Sequence, residues 1–130
     1  PLMCKLILKA KGKDRVIIVT DAMDQAGVEA EPKTNESEES GSAIPDDVCF
    51  IEGVGLSGSW LTMNKAVRNM MNHTGASIVD AFTMASLNPA RVLKIDHLVG
   101  SVEVGKRANL VIVNESIDVS QVIFEGQLVK

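Results

Sequence analysis

The stretch Val16-Ile17-Ile18-Val19-Thr20-Asp21 decides the fold class of this 130-residue chain. Four β-branched residues follow one another without polar alternation, which is typical of a strand buried on both faces in a parallel α/β sheet. The run ends abruptly in Thr20 and Asp21, and parallel α/β folds place their chemistry beyond the carboxyl ends of their strands. The pattern predicts a buried strand over residues 16–19 and makes Asp21 a candidate catalytic residue.

Helices are predicted on both sides of this strand. Apolar residues recur at helical spacing from Leu2 to Ala10, and Gly12 then supplies a stop. Three further helices are predicted from their start signals. The first begins after Thr62 and ends at Gly75, the second begins after Ser77, and the third begins at Asn88-Pro89. Alternation of strand and helices indicates the α/β class, although 130 residues are too few for a complete (β/α)₈ barrel of about 200 or more.

The last thirty residues change to β structure. Residues 110–113 form an apolar run, and residues 122–124 and 128–129 flank Glu125-Gly126. Two residues of this kind between apolar runs predict a tight hairpin turn. We therefore expect the chain to end as a small β segment.

Composition and charge exclude several classes of partner. Hydrophobic residues make up 45% of the chain and charged residues 23%, which is typical of a protein that folds around a core. Aromatic residues are only 3% and the net charge is −4, so neither base stacking nor a basic phosphate-binding face is expected. No apolar run reaches the roughly 18 residues of a membrane span. We expect no nucleic-acid partner and no membrane segment.

Two more features concern a loop and the cellular compartment. Residues 28–47 carry seven acids against one lysine and show no periodicity, which predicts an acidic mobile loop. Cys4 and Cys49 lack the spacing of a disulfide framework or a zinc site. We therefore expect a cytoplasmic protein, with the acids in a solvated loop rather than on a surface for a basic partner.

Five blocks of sequence are informative as motifs, and they are Ile18–Met23, Leu56–Ser59, Leu61–Asn69, Ala85–Arg91 and Gly100–Ile112. In this order they resemble the C-terminal part of the N-acetylglucosamine-6-phosphate deacetylases, a branch of the amidohydrolases. The last two blocks are shared widely by amidohydrolases. The first block and the Leu61–Asn69 run point to the deacetylases.

The resemblance implies a fold, a cofactor and partners. Residues 1–99 would be the last strand and helices of a (β/α)₈ catalytic barrel, and residues 100–130 would return as strands of a small β-sandwich domain. The family uses a divalent metal of the zinc or iron class, whose ligands we expect upstream of Pro1, so that this chain holds none tightly. The implied substrate is an amino-sugar phosphate. A homo-oligomer, or association with the missing N-terminal portion, is expected because a piece of a barrel leaves sheet edges unpaired.

The resemblance also assigns roles to residues. An aspartate at the position of Asp21 would take a proton from the attacking water and pass it to the departing amine, which releases acetate from N-acetylglucosamine 6-phosphate. The sugar side of the pocket would be lined by the segment Leu56 to Ser59, with Leu56, Ser57 and Gly58 as substrate-binding residues and Met63 near the acetyl group. We expect the 130 residues alone to be inactive, because they lack the metal ligands.

Other interpretations stay open. From spacing alone, Asp21 caps the turn after a strand, and residues 56–59 form a plain turn before a helix. Another amidohydrolase, acting on a cyclic amide or a nucleobase, would share the last block. The alternative from a different class is a non-catalytic remnant that serves as an assembly module.

Overall fold

A computed structural model describes residues 1–24, 26–27, 47–51 and 53–129 of the chain. Its elements are, in order, α1 (Leu2–Lys11), a 3₁₀ turn (Lys13–Arg15), β1 (Val48–Ile51), β2 (Gly55–Ser59), α2 (Met63–Thr74), α3 (Ile78–Phe82), a π-helical turn (Thr83–Leu87), α4 (Asn88–Val92), β3 (Leu110–Val113), β4 (Val119–Phe124) and β5 (Gln127–Leu128). The chain is thus of the predicted α/β class. Within the described residues, no helix has both the length and the apolar character that a membrane crossing requires.

Two compact units make up the fold, namely Pro1–Val19 with Asn64–Lys130, and Thr20–Met63. The division at residue 99, expected from the resemblance, stays a prediction. The predicted acidic loop over residues 28–47 lies outside the described residues, except for Asp47, which is in a turn next to β1.

Helix α1 begins and ends where the apolar periodicity predicts. Gly12 adopts a φ of 75° and its N–H donates to the carbonyl of Leu8 at 2.9 Å, so the glycine does stop the helix. No residue of α1 is buried. Its apolar side chains face solvent, with exposed fractions of 80% at Leu2 and 64% at Met3. The helix is amphipathic, yet its apolar face has no cover within the described chain.

The segment 16–19 corrects the prediction of a strand buried on both faces. Val16 is extended, with φ −110° and ψ 138°, but the segment pairs with no strand of the described residues. Val16 and Ile18 are buried, whereas Ile17 is 36% and Val19 is 74% exposed. Only one face packs on the core, because burial of the other face needs neighbouring strands that the described residues do not supply.

Residues 78–92 form one continuous helical run. Ser77 caps it as predicted, since its Oγ accepts the N–H of Asp80 at 3.1 Å. The run widens into the π turn before α4, and Asn88 itself has helical angles of φ −63° and ψ −47°. Asn88 therefore makes no side-chain cap, which corrects the predicted helix start at Asn88-Pro89. Its amide is engaged elsewhere, as described below.

The C-terminal sheet has the order β3-β4-β5, with both pairs antiparallel. Glu125 and Gly126 both have positive φ, at 50° and 81°, as a two-residue type I′ hairpin requires, and this confirms the predicted turn. The connection between β3 and β4 buries Ile117, which is 2% exposed and accepts at its carbonyl a hydrogen bond from Asn64 Nδ2 at 3.2 Å. This contact ties the sheet to α2.

Candidate active site

The hairpin of β1 and β2 carries three of the predicted substrate-binding residues. Its register pairs Cys49 with Gly58 and Phe50 with Leu56, which leaves Ser57 as an extra residue in a β-bulge. Bulges are common beside active sites, where they redirect side chains. Leu56 is 73% exposed, and Ser57 Oγ donates to the carbonyl of Gly55 at 3.2 Å. A strand with a bulge therefore replaces the plain turn that the glycines suggested.

Asp21 lies at the end of the 16–19 segment in an unusual backbone conformation. Its φ is 51°, in the left-handed region, and its side chain is exposed. Aspartate and asparagine adopt this region more readily than other residues that carry a Cβ. Such conformations persist only where the surroundings impose them, and they cluster at functional sites. The conformation directs attention to Asp21 independently of its sequence motif.

Ser59 supplies the contacts that impose this conformation. Its N–H donates to the carbonyl of Asp21 at 2.8 Å, and its own carbonyl accepts the N–H of Met23 at 2.8 Å. Its Oγ donates to the carbonyl of Thr20 at 2.5 Å and accepts the N–H of Leu61 at 3.1 Å. The resemblance includes Ser59 in the pocket-lining segment 56–59 but gives it no role in holding Asp21. A hydroxyl next to Gly58 in a motif block was the only signal for it in the sequence.

Gly58 allows the hairpin to approach the Asp21 loop closely. Its φ is 135°, and a Cβ at this position would lie 3.0 Å from the carbonyl oxygen of Asp21 and 3.0 Å from Met23 Sδ. A contact at 3.0 Å is tighter than most that real Cβ atoms make, so a neighbouring atom would have to move by a few tenths of an ångström. The structure thus brings Gly58 and Ser59 to the backbone of Asp21. Met63, the first residue of α2, is 42% exposed and lies outside this hydrogen-bonded cluster.

A metal site is not formed by the described residues. Among them, no group of three or more His, Cys, Asp or Glu side chains is arranged to hold a metal ion. Both cysteines are free, Cys49 being buried and Cys4 half-buried. Asp21 offers one carboxylate, which is too few donors for a divalent cation of the zinc or iron class. The described part of this chain therefore does not fit a complete metal centre.

The ion pairs lie in the unit formed by residues 1–19 and 64–130. Lys13 Nζ is 2.6 Å from Asp80 Oδ1, and this hydrogen bond lowers the pKa of Asp80 and raises that of Lys13. The pKa of Asp118 is lowered by hydrogen bonds, first from Asn114 and then from Arg68. These pairs join the 3₁₀ turn to α3 and α2 to the β3–β4 connection, so we assign them to the fold rather than to chemistry.

Comparison with known proteins identifies the family. Residues 4–129 match the model of the amidohydrolase family. The chain therefore belongs to the amidohydrolase family, as the motif blocks predicted.

Relatives within the family carry deacetylase names. The chain is 40% identical over 116 residues to the N-acetylgalactosamine-6-phosphate deacetylase of Escherichia coli O157:H7, covering 89% of this chain and 30% of that protein. It is 35% identical over 130 residues to the N-acetylglucosamine-6-phosphate deacetylase of Bacillus subtilis (strain 168), covering 98% of this chain and 32% of that protein.

A solved structure of the same kind is similar in fold. It is the N-acetylglucosamine-6-phosphate deacetylase of Thermotoga maritima, which superposes with a TM-score of 0.80 at 31% identity over 99% of this chain and 35% of that one. The chain thus spans about a third of the length of these relatives. The family match itself runs from residue 4 to residue 129, so it includes the Asp21 segment and the C-terminal sheet.

Proposed function

We propose that this chain supplies the acid/base carboxylate, Asp21, of an amidohydrolase that removes the acetyl group from an amino-sugar 6-phosphate. The observation that carries the proposal is the exposed Asp21 in a left-handed backbone conformation, held by Ser59. The names of the relatives, which are deacetylases of hexosamine 6-phosphates, support the substrate class. Three of the four hydrogen bonds of Ser59 go to the backbone of Thr20, Asp21 and Met23, and they hold Asp21 in this conformation.

Hydrolysis of the acetamide needs one carboxylate that can reach both the attacking water and the departing nitrogen. An acetamide carbonyl is a poor electrophile, and water is a poor nucleophile at neutral pH. Asp21 would accept a proton from the water as its oxygen adds to the carbonyl carbon, and would return a proton to the nitrogen as the C–N bond breaks. The products are acetate and the free amine. A carboxylate that is exposed but fixed in its backbone suits this role, because the side chain can reach both atoms while its origin stays in place.

The resemblance supplies the remaining parts of the proposal. The Val16–Val19 segment would be a strand of a (β/α)₈ barrel with residues up to 99, and residues 100–130 would complete a β-sandwich domain. A divalent metal of the family would need ligands other than the described residues. For that reason we expect the 130 residues alone to release no acetate. We expect activity only where further protein supplies the metal ligands, and we call that assembly the natural protein. Two free cysteines are consistent with a cytoplasmic location.

Substrate contacts are proposed for the bulged strand. Leu56, Ser57 and Gly58 would face the sugar, and Met63 would lie near the acetyl group. By their names, the relatives act on two hexosamines that differ in the configuration of one ring hydroxyl. The measurement that distinguishes the two substrates is therefore the rate of acetate release from each 6-phosphate. We place N-acetylglucosamine 6-phosphate first, in line with the motif blocks, and N-acetylgalactosamine 6-phosphate second.

The test is Asp21→Asn in the natural protein. Asparagine tolerates the left-handed conformation, so the loop should keep its shape while losing the group that moves the proton. We expect acetate release from both 6-phosphates to fall by about 10² to 10⁴-fold. Asp24→Asn is the matched control, because Asp24 is an exposed carboxylate three residues further along. Activity of Asp21→Asn equal to that of the control would exclude Asp21 as the acid/base. Ring-opening hydrolysis of a cyclic amide, with no acetate released from either 6-phosphate, would favour the other amidohydrolase.

An assembly role has one observation in its favour. The apolar side chains of α1 are exposed, at 58% for Leu6 and 44% for Ile7 in addition to Leu2 and Met3. An apolar helix face of this size is typical of a contact surface. We propose that α1 is covered by protein, either a second copy or another part of the natural protein, and that this packing accompanies the catalytic function.

A further inference from the structure

The Asp21 loop is joined to the strand β2 by a parallel bridge, which pairs Ala22 with Ser59. The N–H of Ser59 donates to the carbonyl of Asp21 at 2.8 Å, and the N–H of Met23 donates to the carbonyl of Ser59 at 2.8 Å. Any residue except proline could make these two bonds at position 59, because both use only its backbone groups. They place the loop beside β2 without depending on the side chain of Ser59.

The hydroxyl of Ser59 makes two further bonds, and these do depend on the residue type. Its Oγ donates to the carbonyl of Thr20 at 2.5 Å and accepts the N–H of Leu61 at 3.1 Å. Among the described residues the pairing of the loop with β2 is limited to the one bridge, and Asp21, with a φ of 51°, leaves the extended conformation. The Thr20 carbonyl therefore lies beyond the bridge, and a side chain supplies its donor.

These bonds fix the two peptide planes on either side of the Asp21 Cα. Each peptide unit is planar, so φ and ψ of Asp21 alone set the angle between the unit with the Thr20 carbonyl and the unit with the Asp21 carbonyl. The hydroxyl of Ser59 holds the first carbonyl, and the N–H of Ser59 holds the second. A single residue thus determines the left-handed conformation, and its hydroxyl is the part that a substitution can remove.

Loss of the hydroxyl would release Asp21 from this conformation. Residues with a Cβ are disfavoured in the left-handed region and remain there only where the surroundings impose it. Without the hydroxyl, the plane of the Thr20 carbonyl can rotate, and Asp21 can return to the favoured β region. That change alters the direction of the Cα–Cβ bond of Asp21, and with it the place that the carboxylate reaches.

We propose that Ser59 is a positioning residue, whose hydroxyl holds the Asp21 carboxylate where proton transfer takes place. The hydroxyl is engaged by two backbone groups, so it acts through the Thr20 carbonyl rather than through a contact with substrate. The inference rests on the proposed acid/base role of Asp21 for its catalytic consequence. The effect of the hydroxyl on the backbone is measurable without any reaction.

The first test is Ser59→Ala in the natural protein, with Ser120→Ala as the matched control. Ser120 Oγ also donates to a backbone carbonyl, that of Ile112 at 3.0 Å, but it lies on β4 of the C-terminal sheet. We expect Ser59→Ala to lower kcat by about 10- to 100-fold with KM nearly unchanged, because misplacement of a reacting group acts on the chemical step. Ser120→Ala should leave both constants unchanged. A kcat of Ser59→Ala equal to that of the control, or a rise in KM alone, would overturn the proposal.

Hydrogen exchange at the Met23 amide gives a readout that needs no reaction. Met23 keeps its acceptor, the backbone carbonyl of Ser59, in the alanine variant, so its exchange becomes faster only if the loop itself opens. We expect about tenfold faster exchange at Met23 in Ser59→Ala and no change in Ser120→Ala. A lower kcat with unchanged exchange at Met23 would show that the hydroxyl does not act through the backbone.

A second pair of variants, Ser59→Thr and Ser59→Val, keeps the question answerable if Ser59→Ala fails to fold. Threonine and valine have nearly the same shape and both favour strands, but only threonine keeps the hydroxyl. We expect the kcat of Ser59→Thr to exceed that of Ser59→Val by about tenfold or more. Equal kcat values in this pair, while Asp21→Asn is inactive, would refute the positioning role alone. An active Asp21→Asn would refute the proposed function, and exchange at Met23 would still decide whether the hydroxyl holds the loop.

Discussion

Replacing Gly58 by alanine tests the most specific feature of the candidate site, which is the close approach of β2 to the Asp21 loop. Alanine at a φ of 135° strains the backbone, and its Cβ would also lie 3.0 Å from both the Asp21 carbonyl oxygen and Met23 Sδ. Gly55→Ala is the matched control on the same strand. Its φ of 102° is also positive, but a Cβ there would have nothing within 4 Å. The difference between the two variants isolates the contact with the Asp21 loop.

The expected magnitudes follow from these two contributions. Backbone strain at positive φ costs about 1–3 kcal/mol and applies to both variants. Overpacking against fixed backbone adds about 1–3 kcal/mol at Gly58 alone, because the Asp21 carbonyl is already bonded to Ser59 and cannot yield freely. We expect Gly58→Ala to lower the free energy of unfolding by about 2–6 kcal/mol and Gly55→Ala by about 1–3 kcal/mol.

The chain has a built-in probe for this measurement. Trp60 is its single tryptophan, next to Ser59, and the backbone N–H of Trp60 donates to the carbonyl of Asp47 at 3.0 Å. Urea unfolding followed by Trp60 fluorescence therefore reports the hairpin, while far-UV circular dichroism in parallel reports the helices. Equal losses in the two variants, at an unchanged dependence on urea, would refute the reasoning that Gly58 is required by contact with Asp21.

Two other predictions concern charge and association. Because Lys13 lowers the pKa of Asp80 below its ordinary 3.8, the stability from this pair is present above that pH and is lost as the pH falls through the lower pKa of the folded state. Lys13→Met should therefore weaken the loss of stability as the pH falls below 3.8, measured by urea unfolding, and an unchanged pH profile would count against the pair. On α1, Leu6→Lys should reduce self-association of the chain in sedimentation velocity, whereas Lys9→Gln should not; a strictly monomeric wild-type chain would show that no second copy covers this face.

Features that depend on neighbouring residues in sequence were predictable. The stop at Gly12, the cap at Ser77 and the turn at Glu125-Gly126 are all found where the sequence places them. Each of these depends on the conformational preference or the side-chain hydrogen bond of one or two residues, so no distant partner is needed to determine the outcome. Asp21 was singled out from a pattern of the same local kind, its position at the end of an apolar run, and its catalytic role stays a prediction.

Features that depend on distant partners were predicted wrongly or not at all. The strand β2 was not anticipated, because Gly55 and Gly58 indicate a break in the sequence, whereas in the structure pairing with β1 sustains the strand through a bulge. Asn88 was predicted as a helix cap because asparagine before proline is a common start signal. Its amide instead finds two carbonyls more than seventy residues away along the chain.

The contrast between local and distant contacts also explains why the sequence motifs identify Asp21 but give no role to the residue that holds its backbone. Asp21 can be identified from its type and position, but a carboxylate becomes an acid/base group only where its backbone is held. In this chain Ser59 holds that backbone, through hydrogen bonds to the carbonyls of Thr20 and Asp21. Ser59 lies on β2, a strand that the sequence does not predict. These hydrogen bonds are backbone contacts, so they depend on where the serine lies and hardly on the identity of the residues that it touches. A search of the sequence for reactive side chains finds the candidate acid/base group, whereas the residue that holds its backbone is found only from the hydrogen bonds of the folded chain.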